Sequence, residues 1–134
     1  MLSSEVADLL EDNSIGTVAE DIFIGSLPTQ KDDGTSADNG VYLINSIGEQ
    51  HKYLDTNYDS IEFWSANINT ESAFNKLKDI KDLLSRKANF ETTNYYIYFI
   101  HDVSGIMDMD RTVDGLKMYK LTLRFIYRDK NLIS

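Results

Sequence analysis

The sequence predicts a single α+β domain, in which a mixed or antiparallel sheet of about five strands is packed by one long helix (residues 70–87) and by a shorter N-terminal helix. Three observations predict it. Ala73, Phe74, Leu77, Ile80, Leu83 and Leu84 recur at three- and four-residue spacing, the period of one buried helix face. Residues Met118 to Arg128 alternate instead: Tyr119, Leu121, Leu123, Phe125 and Tyr127 fall on one side, and Lys120, Thr122, Arg124 and Arg128 on the other, the period of a strand with one buried face. Finally, 134 residues, 42% hydrophobic and 26% charged and without an internal repeat, are the size and composition of one globular core.

The elements follow in order. Ser3 or Ser4 is the expected cap of a helix over residues 4–12, with Glu5 and Asp8 in its early turns and Val6, Leu9 and Leu10 on its apolar face. Val18 to Ile24 reads as a strand that runs into Gly25-Ser26-Leu27-Pro28; the chain's one proline has no amide proton to offer a ladder and ends it. Thr29 to Gly40, which holds Asp32, Asp33 and Asp38, lacks any periodicity and is expected to be a loop. Val41 to Ile47 is a second strand, with Val41, Leu43 and Ile47 opposite Tyr42, Ile44 and Ser46. A polar stretch from Gly48 to Asp59 precedes the third, Ser60 to Ile68. There Ile61 and Phe63 oppose Trp64, Ala66 and Ile68, the pattern of a strand covered on both sides.

Asn69 or Thr70 is the expected cap of the main helix. Glu71 complements its positive end and Arg86 and Lys87 its negative end, with Asp82 placed to pair with Arg86 one turn on. Asn94 to His101 is a strand rich in tyrosine, central or interfacial, and residues 102–115 are expected to be a loop before the closing strand.

Reaction chemistry has no foothold in these residues. The chain has no cysteine, which removes thiol nucleophiles, disulfides and the common structural zinc sites. His51 and His101 stand at no spacing suited to a metal pair or to a base beside a nucleophile, and no glycine-rich phosphate cradle occurs. Asp110, Thr112, Asp114 and Gly115 match the first half of a calcium loop, but the twelfth position is Leu121 where a bidentate glutamate is required. The adjacent acids Glu20-Asp21 and Asp32-Asp33 read as solvated surface. The expectation is a protein that is not an enzyme, with no catalytic residues, metal or cofactor. The N-terminus does not read as a signal peptide, and no apolar run approaches the roughly eighteen residues of a membrane span, so a soluble protein without a membrane partner is expected.

Charge is informative in its distribution. The net charge of −9 disfavours binding to a phosphate backbone. Residues 1–60 hold two basic residues (Lys31, Lys52) against twelve acids, a net of −10, whereas residues 111–134 hold six basic residues against two acids, a net of +4. These halves either neutralise each other within one subunit or meet head to tail between copies, the acids of one against the basic strand of the next.

The order of segments resembles the small tail terminator proteins of long-tailed phages, often described as minor capsid or minor tail proteins. The resemblance rests on a helix followed by Asp21-Ile22-Phe23-Ile24-Gly25-Ser26-Leu27-Pro28 and the strand Val41-Tyr42-Leu43-Ile44. It continues through Ile61-Glu62-Phe63-Trp64, the helix with Ala73, Leu77, Ile80 and Leu84, and the closing strand Leu121 to Arg128, spanning roughly residues 4–129. It implies a structural virion protein, assembled in the host cytoplasm and placed in the tail-neck region. There a homohexameric ring would cap the tail tube, contacting the major tail tube protein on one side and a neck or stopper connector on the other, with DNA passing through without specific binding. Under that reading Lys120, Arg124 and Arg128 face a neighbouring subunit, with Glu20 and Asp21 among their acidic partners, and Asp32, Asp33 and Asp38 face the channel. The alternatives are a head completion or stopper protein of the neck, and a small acidic non-enzymatic protein-binding module.

Overall fold

The computed structural model describes residues 2–25, 39–50, 56–111 and 115–130, and of residues 47–50 the backbone alone. Its elements are α1 (Leu2–Asp12), β1 (Ile22–Ile24), β2 (Gly40–Gln50), β3 (Asn57–Asn67), α2 (Thr70–Leu84), β4 (Ala88–Glu91), β5 (Tyr95–Met109) and β6 (Lys117–Asp129). They form one six-stranded mixed sheet in the order β1-β2-β3-β6-β5-β4, parallel between β1 and β2 and antiparallel elsewhere.

One hydrophobic core holds the fold together. Leu2, Val6 and Leu10 of α1, and Leu77, Ile80 and Leu84 of α2, join Val41, Leu43, Ile61, Phe63, Leu121, Leu123 and Phe125 from a single face of the sheet. Cross-strand partners point to the same side, and the pairs Leu43↔Phe63, Phe63↔Leu121 and Ile61↔Leu123 carry that face across three strands. Both helices therefore pack on one side. The opposite face carries no further layer among the described residues, which corrects the expectation that β3 is covered on both sides. Trp64 stays half-buried there, and Ile68, 73% exposed, lies beyond the strand's end.

Several expected boundaries move, each for a physical reason. Helix α1 starts at Leu2, ahead of both serines, because Leu2, Val6 and Leu10 form a stripe at four-residue spacing that is buried from its first member; Ser3 is buried within the helix rather than capping it. Asn69 caps α2, its side-chain oxygen accepting the Ser72 N–H at 3.0 Å. That helix stops at Leu84, short of the expected residue 87, because Arg86 turns left-handed (φ 65°) and gives its N–H to the Ile100 carbonyl at 2.9 Å. Having left the helix, Arg86 does not make the expected pair with Asp82.

The short β4 is an element the periodicity does not predict: of Ala88-Asn89-Phe90-Glu91 only Phe90 packs against the core. The expected strand from Val18 shrinks to Ile22–Ile24, with Val18 in an isolated bridge to Ile22. Residues 102–109, expected as loop, continue β5 to Met109 through an irregularity between Asp102 and Ile106. There Gly105 adopts φ 67° and donates its N–H to Asp102 Oδ1 at 2.8 Å, while the Thr122 N–H of β6 is taken by Ser104 Oγ at 3.2 Å. Side chains thus satisfy the ladder where the backbones diverge, as in a β-bulge. Of the expected loop at residues 29–40, all but the last two residues lie outside the described ones, and Gly40 opens β2.

Leu77 has no exposed surface and sits between helix and sheet, so Leu77→Ala is expected to cost about 2–5 kcal/mol, read as a lowered midpoint in urea unfolding.

Candidate interaction surface

Register makes the open face of the sheet a patterned surface. The outward side of β6 presents Lys120, Thr122, Arg124, Ile126 and Arg128, flanked by Trp64, Glu62, Ser60 and Tyr58 of β3 and by Met107, His101, Phe99 and Tyr96 of β5. The predicted basic residues therefore share one strand and one face, near the middle of the sheet. Each has a distinct setting. The Lys120 ammonium lies 5.4 Å from the centre of the Trp64 ring, and the Arg128 guanidinium 5.2 Å from that of Tyr96. Arg124, exposed, stands between Ser60 and His101 with no ion-pair partner among the described residues.

The acids proposed as their counterparts lie elsewhere. Glu20 and Asp21 occupy the turn before β1, at the far edge of the sheet, separated from β6 by β2 and β3. Asp21 shapes that turn, its Oδ1 accepting the Thr17 N–H at 2.6 Å, and Glu20 is exposed. One subunit thus does not bring these acids to the basic row. Ion pairs among the described residues join Lys81 to Asp102 (3.4 Å), Lys130 to Glu91 (3.4 Å) and Lys117 to Asp108. Asp32, Asp33 and Asp38 lie outside the described residues, as do Thr112 and Asp114 of the calcium-like stretch. At the ends of that stretch Arg111 donates to the Gly115 carbonyl at 2.7 Å and to Thr70 Oγ1 at 2.9 Å, tying the β5–β6 connection to the start of α2.

A buried polar group on the core face is one that the sequence reading misses. Asp59, 2% exposed, accepts a hydrogen bond from Asn45 Nδ2 (2.9 Å) and is hydrogen-bonded to the Tyr127 phenol. The signal lies in the alternation, since Asp59 is two residues before Ile61 and points the same way. Burial, then the neighbouring Asp59 carboxylate, push the Tyr127 phenol far above its ordinary value of 10.0; burial, then Glu5, raise Tyr95, and burial, then Glu62, raise Tyr42.

Because folding holds these phenols protonated, their contribution to stability is fully present below pH 10.0, the unfolded value, and is lost as the pH rises above it. Urea midpoints should fall from about pH 10 upward, and in Tyr127→Phe the alkaline fall should be shallower than in the parent protein.

Among known proteins, a family model described as bacteriophage tail terminator protein matches residues 9–129. In fold, the chain is similar to a solved chain from the virion of a native gene transfer agent particle, with a TM-score of 0.69 over 95% of this chain and 94% of that one, at 13% sequence identity. No curated protein matches the sequence.

Proposed function

The chain belongs to the bacteriophage tail terminator family and is a structural protein of the virion tail, and from that premise we propose that it forms a homohexameric ring that caps the tail tube and joins it to the neck. The work of such a protein is assembly, with no covalent bond made or broken. Its contacts are with its own copies, with the tube protein below and with a connector above, while DNA passes through the centre. Assembly in the host cytoplasm precedes its place in the tail-neck region.

The observation that carries this reading is the basic row on the open sheet face. Lys120, Arg124 and Arg128 stand in the interior of the sheet, and Glu20 and Asp21 stand at its β1 edge, out of reach within one subunit. A head-to-tail contact brings the two together, and a heterologous contact of this kind closes into a ring when its rotation is right. Opposite charges then set partner orientation and encounter rate more than they set affinity. The acidic sequence around Asp32, Asp33 and Asp38 suits a channel-facing segment, since carboxylates there would repel passing DNA.

Native mass spectrometry over a concentration series, with and without isolated tail tubes, tests the ring. A sixfold species, alone or on tubes, is expected; persistent monomer that ignores the tubes would overturn the reading. Arg124→Glu should weaken assembly about tenfold at low salt. It should shift folding stability by no more than about 0.5 kcal/mol, as for other exposed substitutions. Unchanged assembly of this variant would remove the charge-register part of the proposal.

A further inference from the structure

Four side chains line up straight across the open face: Tyr42 of β2, Trp64 of β3, Lys120 of β6 and Met107 of β5. The next row toward the sheet's end holds Gly40, Ala66, Met118 and Met109. The chain's only tryptophan and three of its four methionines therefore meet on one patch. The tryptophan is held from several sides. Tyr42 stacks on it at 5.9 Å with the rings 6° from parallel, Lys120 lies over it at 5.4 Å, and its Nε1–H donates to Glu62 Oε1 at 2.8 Å. Its conformation is set before any partner arrives, which lowers the ordering cost of binding.

A tryptophan kept only for packing belongs in the core, yet Trp64 stays half-buried on a face with no layer over it among the described residues. Across Lys120 from it Met107 is 43% exposed, and Val103 in the β5 bulge 47%. Trp, Tyr and Met are the residue types enriched at the desolvated centres of interfaces, and Met adapts its shape to what it meets. With Lys120 within the patch and Arg124 and Arg128 beyond it, the surface fits an apolar contact flanked by acids.

The chain carries such a surface at the β1 edge of its own sheet, one strand beyond Tyr42. Ile24 on β1 is 41% exposed and follows closely on Glu20 and Asp21, both at the β1 turn. We infer that the Tyr42–Trp64–Met107 patch of one copy anchors the β1 edge of a second copy, with Ile24 of the second copy against the apolar centre and its Glu20 and Asp21 toward the basic row. This deepens, and rests on, the ring proposed above. The contact is heterologous, so each copy offers one patch and one edge.

That asymmetry gives the test. Met107→Glu spoils the patch and leaves the edge intact, Ile24→Glu does the reverse, and both sites are exposed enough to leave near-UV circular dichroism and melting unchanged. Native mass spectra of the wild type, of each variant and of their equimolar mixture are recorded alone and with isolated tail tubes. The expected result is sixfold assembly of the wild type, an apparent Kd raised about thirtyfold or more in each variant, as for loss of a central anchor, and a one-to-one dimer in the mixture, where a single junction survives. Should both variants assemble like the wild type, the anchor is wrong while the ring stands. Rings that form normally from Met107→Glu but no longer seat on tubes would reassign the patch to the tube protein and overturn the inference. Trp64→Ala, checked for folding in the same way, must also weaken assembly; if it folds and assembles normally, the patch is not an anchor. A wild type that never assembles removes the ring and this contact together.

Discussion

The ladder between β3 and β6 is the constraint on which the rest of the molecule depends. It runs unbroken from Asn57↔Tyr127 to Asn67↔Lys117, pairing the middle of the chain with its end. β2 is attached through β3, β5 through β6, and α2 packs against both central strands. A pairing this distant in sequence must overcome loop-closure entropy before its contacts stabilise anything. The return comes from Ile61, Phe63, Leu121, Leu123 and Phe125, all without exposed surface. The same ladder that closes the core decides which side chains become neighbours on the open face.

Strand order then separates the charges. An acidic first half and a basic end could have met within one subunit had β1 lain beside β6. Two strands intervene instead, and the turn that carries Glu20 and Asp21 ends at the sheet's edge. Aromatic rings take over part of the work that carboxylates do elsewhere: Trp64 and Tyr96 lie under Lys120 and Arg128. A cation over a ring face is held in place yet keeps its full charge, so the row remains attractive to an acid from outside.

How much of this is legible in the sequence follows from which features are local. Helix α2 and strand β6 announce themselves through period alone, and the alternation of β6 is enough to put Lys120, Arg124 and Arg128 together on one side. The end of α2 is not legible in this way, because Arg86 and Lys87 suit a helix terminus by charge, whereas a tertiary bond from the Arg86 N–H to Ile100 sets the actual turn. The outer half of β5 is hidden by a bulge that breaks the alternation at Gly105. The row from Tyr42 to Met107 cannot be read from the chain at all, since it exists only through the register of four strands. Asp59 is the opposite case: the alternation points it inward, while its charge suggests a solvated position.

Strand β6 has a further consequence, because its two sides carry the two halves of the molecule's chemistry. A slip of one residue would exchange them, turning Lys120 and Arg124 into the core and Leu121 and Leu123 to solvent. No subunit can therefore present the basic row unless it has also packed its interior. An assembly built on the proposed contact would proofread the folding of each copy it admits, because a misregistered chain would lack the face that the contact needs.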